Sequence, residues 1–182
     1  MGRTVLYLQA VMLAISACTF DYGDGVVEAD ETGELPEVEI IDVRMVIVRD
    51  NRVELNASRI ASYQEKGIQE LNDILFREYG PDGDVRLEGS AESGVLYLDS
   101  EDVELLGTVQ LFSRVEDGRI ESEFLYWENA DRVLRGDEGG GVQIRRENGT
   151  EIEGSGLYLD GRRNTIEFRD GVRGTYQTED EE

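Results

Sequence analysis

The sequence contains no histidine and only one cysteine, Cys18. Without histidine there is no Ser-His-Asp or Cys-His relay, no histidine-based zinc site and no 2-His-1-carboxylate iron site. A single thiol can close neither an internal disulfide nor a CxxC pair. Proline is also scarce, at 2 residues in 182, so little obstructs continuous strand pairing. Lysine and arginine number 18 against 41 acids, giving a net charge of −23. That balance repels nucleic acid and anionic membrane surface, and no nucleic-acid partner is expected. Only carboxylates remain as candidate catalytic groups, and no GxxxxGK[ST], HExxH or paired CxxC occurs. No metal or cofactor is expected, and the chain is poor in catalytic side chains other than carboxylates.

What the chain does have is alternation punctuated by turns. Val142 and Ile144 alternate with Gln143 and Arg145, the period of a strand with one buried face. Asn148-Gly149 follows, the pair that best tolerates a type I′ turn. Ile152 and Leu157 then have opposite parity, so one residue must be absorbed between them. Gly154 and Gly156 are the expected bulge glycines. Asp160-Gly161 turns the chain before Ile166 and Phe168. The same grammar recurs at Asp50-Asn51-Arg52, Gly80-Pro81-Asp82-Gly83, Ser100-Glu101-Asp102 and Glu116-Asp117-Gly118. Turn signals this frequent predict an all-β fold of consecutive antiparallel hairpins, a sandwich, barrel or roll. Ser58–Phe76 also fits a helical stripe. The β context favours two strands there, Arg59–Gln64 and Gln69–Glu78.

The N-terminus has a different character. Arg3 precedes an uncharged run from Thr4 to Phe20 that closes on Ile15-Ser16-Ala17-Cys18. This resembles a bacterial lipoprotein signal ending in a lipobox. The resemblance implies cleavage of residues 1–17 and a lipid on Cys18. An uncut membrane helix, for which about 17 apolar residues is the lower limit, and an ordinary signal peptide are the alternatives. Residues 18–37 carry many acids and no base, as a self-repelling tether would. Residues 38–176 form the folded part and 177–182 an acidic tail.

The ordered set Arg52-Val53-Glu54-Leu55-Asn56-Ala57, Gly89-Ser90-Ala91, Leu105-Leu106-Gly107-Thr108-Val109, Ile120-Glu121-Ser122-Glu123-Phe124-Leu125-Tyr126, Gly154-Ser155-Gly156-Leu157-Tyr158-Leu159-Asp160 and Val172-Arg173-Gly174 resembles the LptC family. These are periplasmic components of the lipopolysaccharide-export bridge. The resemblance implies a half-open antiparallel β-jelly roll of the OstA type, which holds the acyl chains of lipopolysaccharide or a related glycolipid between its sheets. The first strand would pair with the periplasmic domain of an inner-membrane ABC transporter, the last with the next bridge subunit. The protein would work on the periplasmic side of the cell envelope, anchored at Cys18 to the inner or outer membrane. One strand parity supplies the expected lipid groove: Val43, Met45, Ile47, Leu55, Leu87, Leu96, Leu98, Leu105, Val109, Leu111, Phe124, Tyr126, Val142, Ile144, Leu157, Leu159, Ile166 and Phe168. The same residues would also serve as an ordinary sandwich core. Two rival functions are weighed: a glycosidase using Glu121 and Glu123, and a surface lipoprotein binding a protein or carbohydrate through Tyr126-Trp127.

Overall fold

A computed structural model describes residues 35–48, 51–175 and 177. The apolar leader, Cys18, nearly all of the acidic tether, Asp50 of the first turn and the tail beyond Gln177 lie outside the described residues. Among them the chain is all β: β1 (Val38–Val48), β2 (Arg52–Tyr63), β3 (Ile68–Tyr79), β4 (Val85–Tyr97), β5 (Val103–Ser113), β6 (Gly118–Glu128), β7 (Val133–Gly136), β8 (Gly141–Arg146), β9 (Glu151–Asp160) and β10 (Thr165–Thr175). Ser58–Phe76 lies in β2, a tight turn and β3, with no helix. Gly67 at φ +65 makes the turn that a continuous helix would have had to absorb.

Every pairing is antiparallel, and the strands follow one another in a single sheet that begins at β1 and ends at β10. β7 and β8 act as one interrupted strand, each pairing a different half of β6 and of β9. This order follows from consecutive short connections, since a tight turn leaves the next strand no neighbour but the previous one.

A seam crosses the sheet. One side-chain row runs Met45, Leu55, Phe76, Gly89, Leu111, Ile120, Ile144, Ile152, Gly174 from β1 to β10. Another runs Val38, Ser62, Gln69, Leu96, Val103, Trp127, Leu134, Leu159, Ile166. On the second side of the seam Ile60, Leu71, Leu105 and Leu125 also align. Leu55 and Ile60, Leu71 and Phe76, and Ile120 and Leu125 have opposite parity, so a regular strand would put each pair on opposite faces. Yet all belong to one apolar cluster.

The reversal happens where backbone geometry departs from β. Asp42 (φ 53), Asp73 (φ 49), Gly107 (φ 86), Gly156 (φ 63) and Gly171 (φ 49) sit on this line. Register shifts accompany it between Leu106 and Val109 and between Asp170 and Val172. In β6 no glycine stands at the bend, and the Ser122 hydroxyl stabilises it by accepting from Phe124 N at 3.3 Å and donating to Phe124 O at 2.9 Å. Irregularities of this kind bend strands and re-aim side chains. Here they divide one sheet into two arms that share an apolar interior.

Candidate functional site

The interior is closed in its middle and open at its lips. Leu105, Val109, Leu111, Leu125, Val142, Ile144 and Leu157 are buried at the centre. Val43 and Met45 of β1, and Leu159 and Phe168 of β9 and β10, are only half-buried against that cluster, as are Leu55, Leu87 and Leu96. Ile47 and Ile166 are exposed on the edge strands, and Leu98 is exposed in the β4–β5 turn. Thirteen of the eighteen expected groove residues therefore touch one apolar cluster, six of them as its centre.

Phe124 and Tyr126 do not belong to that cluster; Leu125 and Trp127 do. Tyr126 stands in the outward row Glu39, Ala61, Glu70, Val95, Glu104, Tyr126, Arg135, Tyr158, Glu167. The sequence offered two equally apolar parities in β6, and the bend at Ser122 decided between them. Ile60, Leu71, Ile74, Phe76, Val103 and Leu134 are interior residues that parity reading did not select. A search for parity breaks in every strand would have found most of them.

The outer faces are polar and internally paired. On the arm containing β8, Glu121 receives Arg145 at 3.4 Å and lies 3.9 Å from Arg119, while Arg145 also meets Glu151 at 3.0 Å. A shallow depression of about 390 Å³ on this arm is lined by outward residues such as Asn56, Leu75, Arg77 and Gln110, together with Phe76, Gly89 and Leu111 of the interior row. Glu121 thus belongs to an ion-pair ladder, and Glu123 is exposed at the seam. Tyr126 and Trp127 face opposite sides of the sheet, so they form no common platform for a sugar ring. Among the described residues there is no cluster of potential metal ligands.

On the other arm, Asp102 ties two turns together. It accepts from Asn129 N at 2.8 Å and from the Tyr126 hydroxyl at 3.1 Å. The Asn129 amide, then Ser100, then Tyr126 hold its carboxyl below the usual value. A depressed folded value means stability that is full above the unfolded carboxylate range and is lost as pH falls through the folded value. Unfolding in urea should therefore show an Asp102-dependent loss that begins near pH 4 and grows below it, about the value of a free aspartate. Relief of net negative repulsion acts in the opposite sense, so the measurement is the difference between the native chain and Asp102→Asn. That difference should shrink on acidification; a constant difference from pH 7 to pH 3 would contradict it.

Among the described residues, β1 and β10 each pair on one side only, and not with each other. β1 is apolar on its outward side as well, where Ile41, Val46 and Val48 are exposed. An apolar strand with unpaired main-chain groups is a template for pairing with another chain.

The match to known proteins agrees with this architecture. The chain matches the model of the family described as Lipopolysaccharide-assembly, LptC-related, over residues 8–177. Its fold is similar to the solved structure of LptH of Pseudomonas aeruginosa, described as the LptA homologous periplasmic component of the lipopolysaccharide transport device. That likeness has a TM-score of 0.54 at 11% identity and covers 69% of this chain and 95% of that one. No curated protein matches the sequence. The chain belongs to the LptC family of lipopolysaccharide-assembly proteins.

Proposed function

We propose that the protein is a membrane-tethered relay that receives lipopolysaccharide, or a closely related glycolipid, from an inner-membrane transporter and passes it toward the outer membrane. As a member of its family it is a non-enzymatic, periplasmic component of lipopolysaccharide transport. The finer reading rests above all on one observation: the apolar cluster reaches both edge strands, where Val43, Met45 and Phe168 are only half-buried and, among the described residues, no further strand pairs. The acyl chains would lie along the lips formed by Val43, Met45, Leu96, Leu159 and Phe168 rather than at the packed centre.

This arrangement suits a carrier that must also let go. A twelve-carbon chain fully withdrawn from water would gain up to about 10 kcal/mol at roughly 0.8 kcal/mol per CH₂. A closed cavity would hold such cargo too tightly to release it. Lips that cover the chain on one side recover only part of that energy. β1 would accept the periplasmic domain of the transporter and β10 the next bridge subunit, both by strand addition. The apolar β1 suits a lasting contact. β10 is polar and interrupted at Gly171, and suits a transient one. The lipid on Cys18 would keep the roll beside its membrane.

Photo-crosslinking from the lips tests the reading. A photoreactive amino acid at Leu96 or Phe168 should form adducts with labelled lipopolysaccharide, and one at Arg86 or Arg145 on the outer face should not. Equal yields at all four positions would overturn the groove.

A further inference from the structure

One corner of this acidic molecule has the opposite charge. Of the connections between β2 and β10, residues 161–164 are the only one that carries cations and no carboxylate. The β3–β4, β4–β5, β7–β8 and β8–β9 connections carry acids alone. The turn that carries Arg162 and Arg163 packs against the β6–β7 turn that carries Arg132, because Gly161 N donates to Arg132 O at 2.9 Å. The turns that carry the three arginines thus lie side by side at one end of β7, β9 and β10.

Local carboxylates do little to neutralise them. Asp160 Oδ1 already accepts from Arg162 N at 2.9 Å and Arg163 N at 3.0 Å. The Arg163 side chain is 81% exposed and approaches Asp160 no closer than 3.7 Å. Arg162 donates to Ala130 O and lies 3.8 Å from the exposed Asp131. The Arg132 side chain has no hydrogen bond or ion pair with any described residue. The corner also adjoins the apolar lining: Arg132 leads directly into β7, whose Leu134 lies between Trp127 and Leu159, with Ile166 beyond.

We propose that Arg132, Arg162 and Arg163 form a recognition site for the phosphate groups of a lipid headgroup whose acyl chains occupy the adjoining lip. The proposal rests on the carrier reading above and adds to it a defined orientation, headgroup at the β9–β10 turn. Planar guanidinium groups pair with phosphate oxygens two at a time, which fixes direction as well as affinity. In a chain of net charge −23, such a corner also selects where an anionic lipid can approach. Elsewhere along the hairpin ends it meets carboxylates and is repelled.

The test uses the full chain and two synthetic glucosamine-disaccharide lipids with identical acyl chains, one bisphosphorylated and one without phosphate. At low salt the native chain should bind the phosphorylated lipid about tenfold tighter or more, as charge-assisted pairs to phosphate require. R132Q/R162Q/R163Q should abolish that ratio while leaving affinity for the phosphate-free lipid unchanged. R119Q/R145Q, on the outer face, should keep it. R163Q alone should reduce the ratio severalfold, and its exposed position makes it the safeguard should the triple variant misfold. A native chain with no preference, or a triple variant that retains it, overturns the site but leaves the carrier intact. Failure to bind either lipid overturns both. Inorganic phosphate binding as tightly as the phosphorylated lipid would assign the corner to a free anion and overturn the headgroup assignment.

Discussion

Leu157→Asp will leave the protein without a cooperative unfolding transition at neutral pH. Leu157 is 2% exposed, in β9, and belongs to the cluster that both arms share. Losing its side chain alone, as in Leu157→Ala, should cost about 2–5 kcal/mol, the usual range for a buried leucine. Aspartate adds an unpaired charge where no basic group belongs to the cluster, a further penalty of about several kcal/mol. A domain of this size is stable by about 5–15 kcal/mol, so the alanine variant folds and the aspartate variant does not. Trp127 is the only tryptophan and packs on the same cluster, so its emission reports the outcome directly. A blue-shifted Trp127 and a native-like urea transition in Leu157→Asp would refute the shared interior.

Gly107→Val should destabilise the fold without abolishing it, for a backbone reason. Gly107 has φ +86, and a Cβ there would lie 2.6 Å from Glu92 Cβ. A branched side chain is strained in that conformation, and it must also displace Glu92. Glu92 Oε1 accepts from Thr108 N at 3.2 Å and from the Thr108 hydroxyl at 2.7 Å, holding β4 to β5 across the seam. Strained φ costs about 1–3 kcal/mol at one residue, and the overpacking contributes about 1–3 kcal/mol more. The urea midpoint should fall with little change in slope, the mark of lost stability rather than altered compactness. Gly107→Asn, which tolerates positive φ better, should lose less. Equal losses in the two variants would show that the clash, not the backbone, governs the site.

The two variants probe different levels of one design. Leu157 tests whether the arms share an interior, and Gly107 tests the bend that makes them share it. An apolar interior reached only from its lips is compatible with lipid entering and leaving without unfolding. The acid-dependent contribution of Asp102 belongs to a third level, the bracing of turns at one end of an arm.

Much of the molecule was legible in its residues. Alternation and frequent turn pairs fixed the antiparallel order, because short connections leave few topologies open. The parity break between Ile152 and Leu157 pointed to an irregularity, since glycines stand beside it. In β6 the same break between Ile120 and Leu125 carries no glycine and rests on the Ser122 hydroxyl. Alternation alone therefore pointed to Phe124 and Tyr126, whereas Leu125 and Trp127 face inward. The basic corner was equally hidden, because Arg132 and Arg162 are distant in sequence and their turns come together only when β7 pairs with β9.

The antiparallel order of the strands and the alternation within most of them came from the sequence, because they depend on neighbours along the chain. Which parities share an interior, which lining residues remain reachable and where the cations gather came only from the tertiary structure. Those depend on how separate strands bend at a common line, and no strand specifies that line by itself.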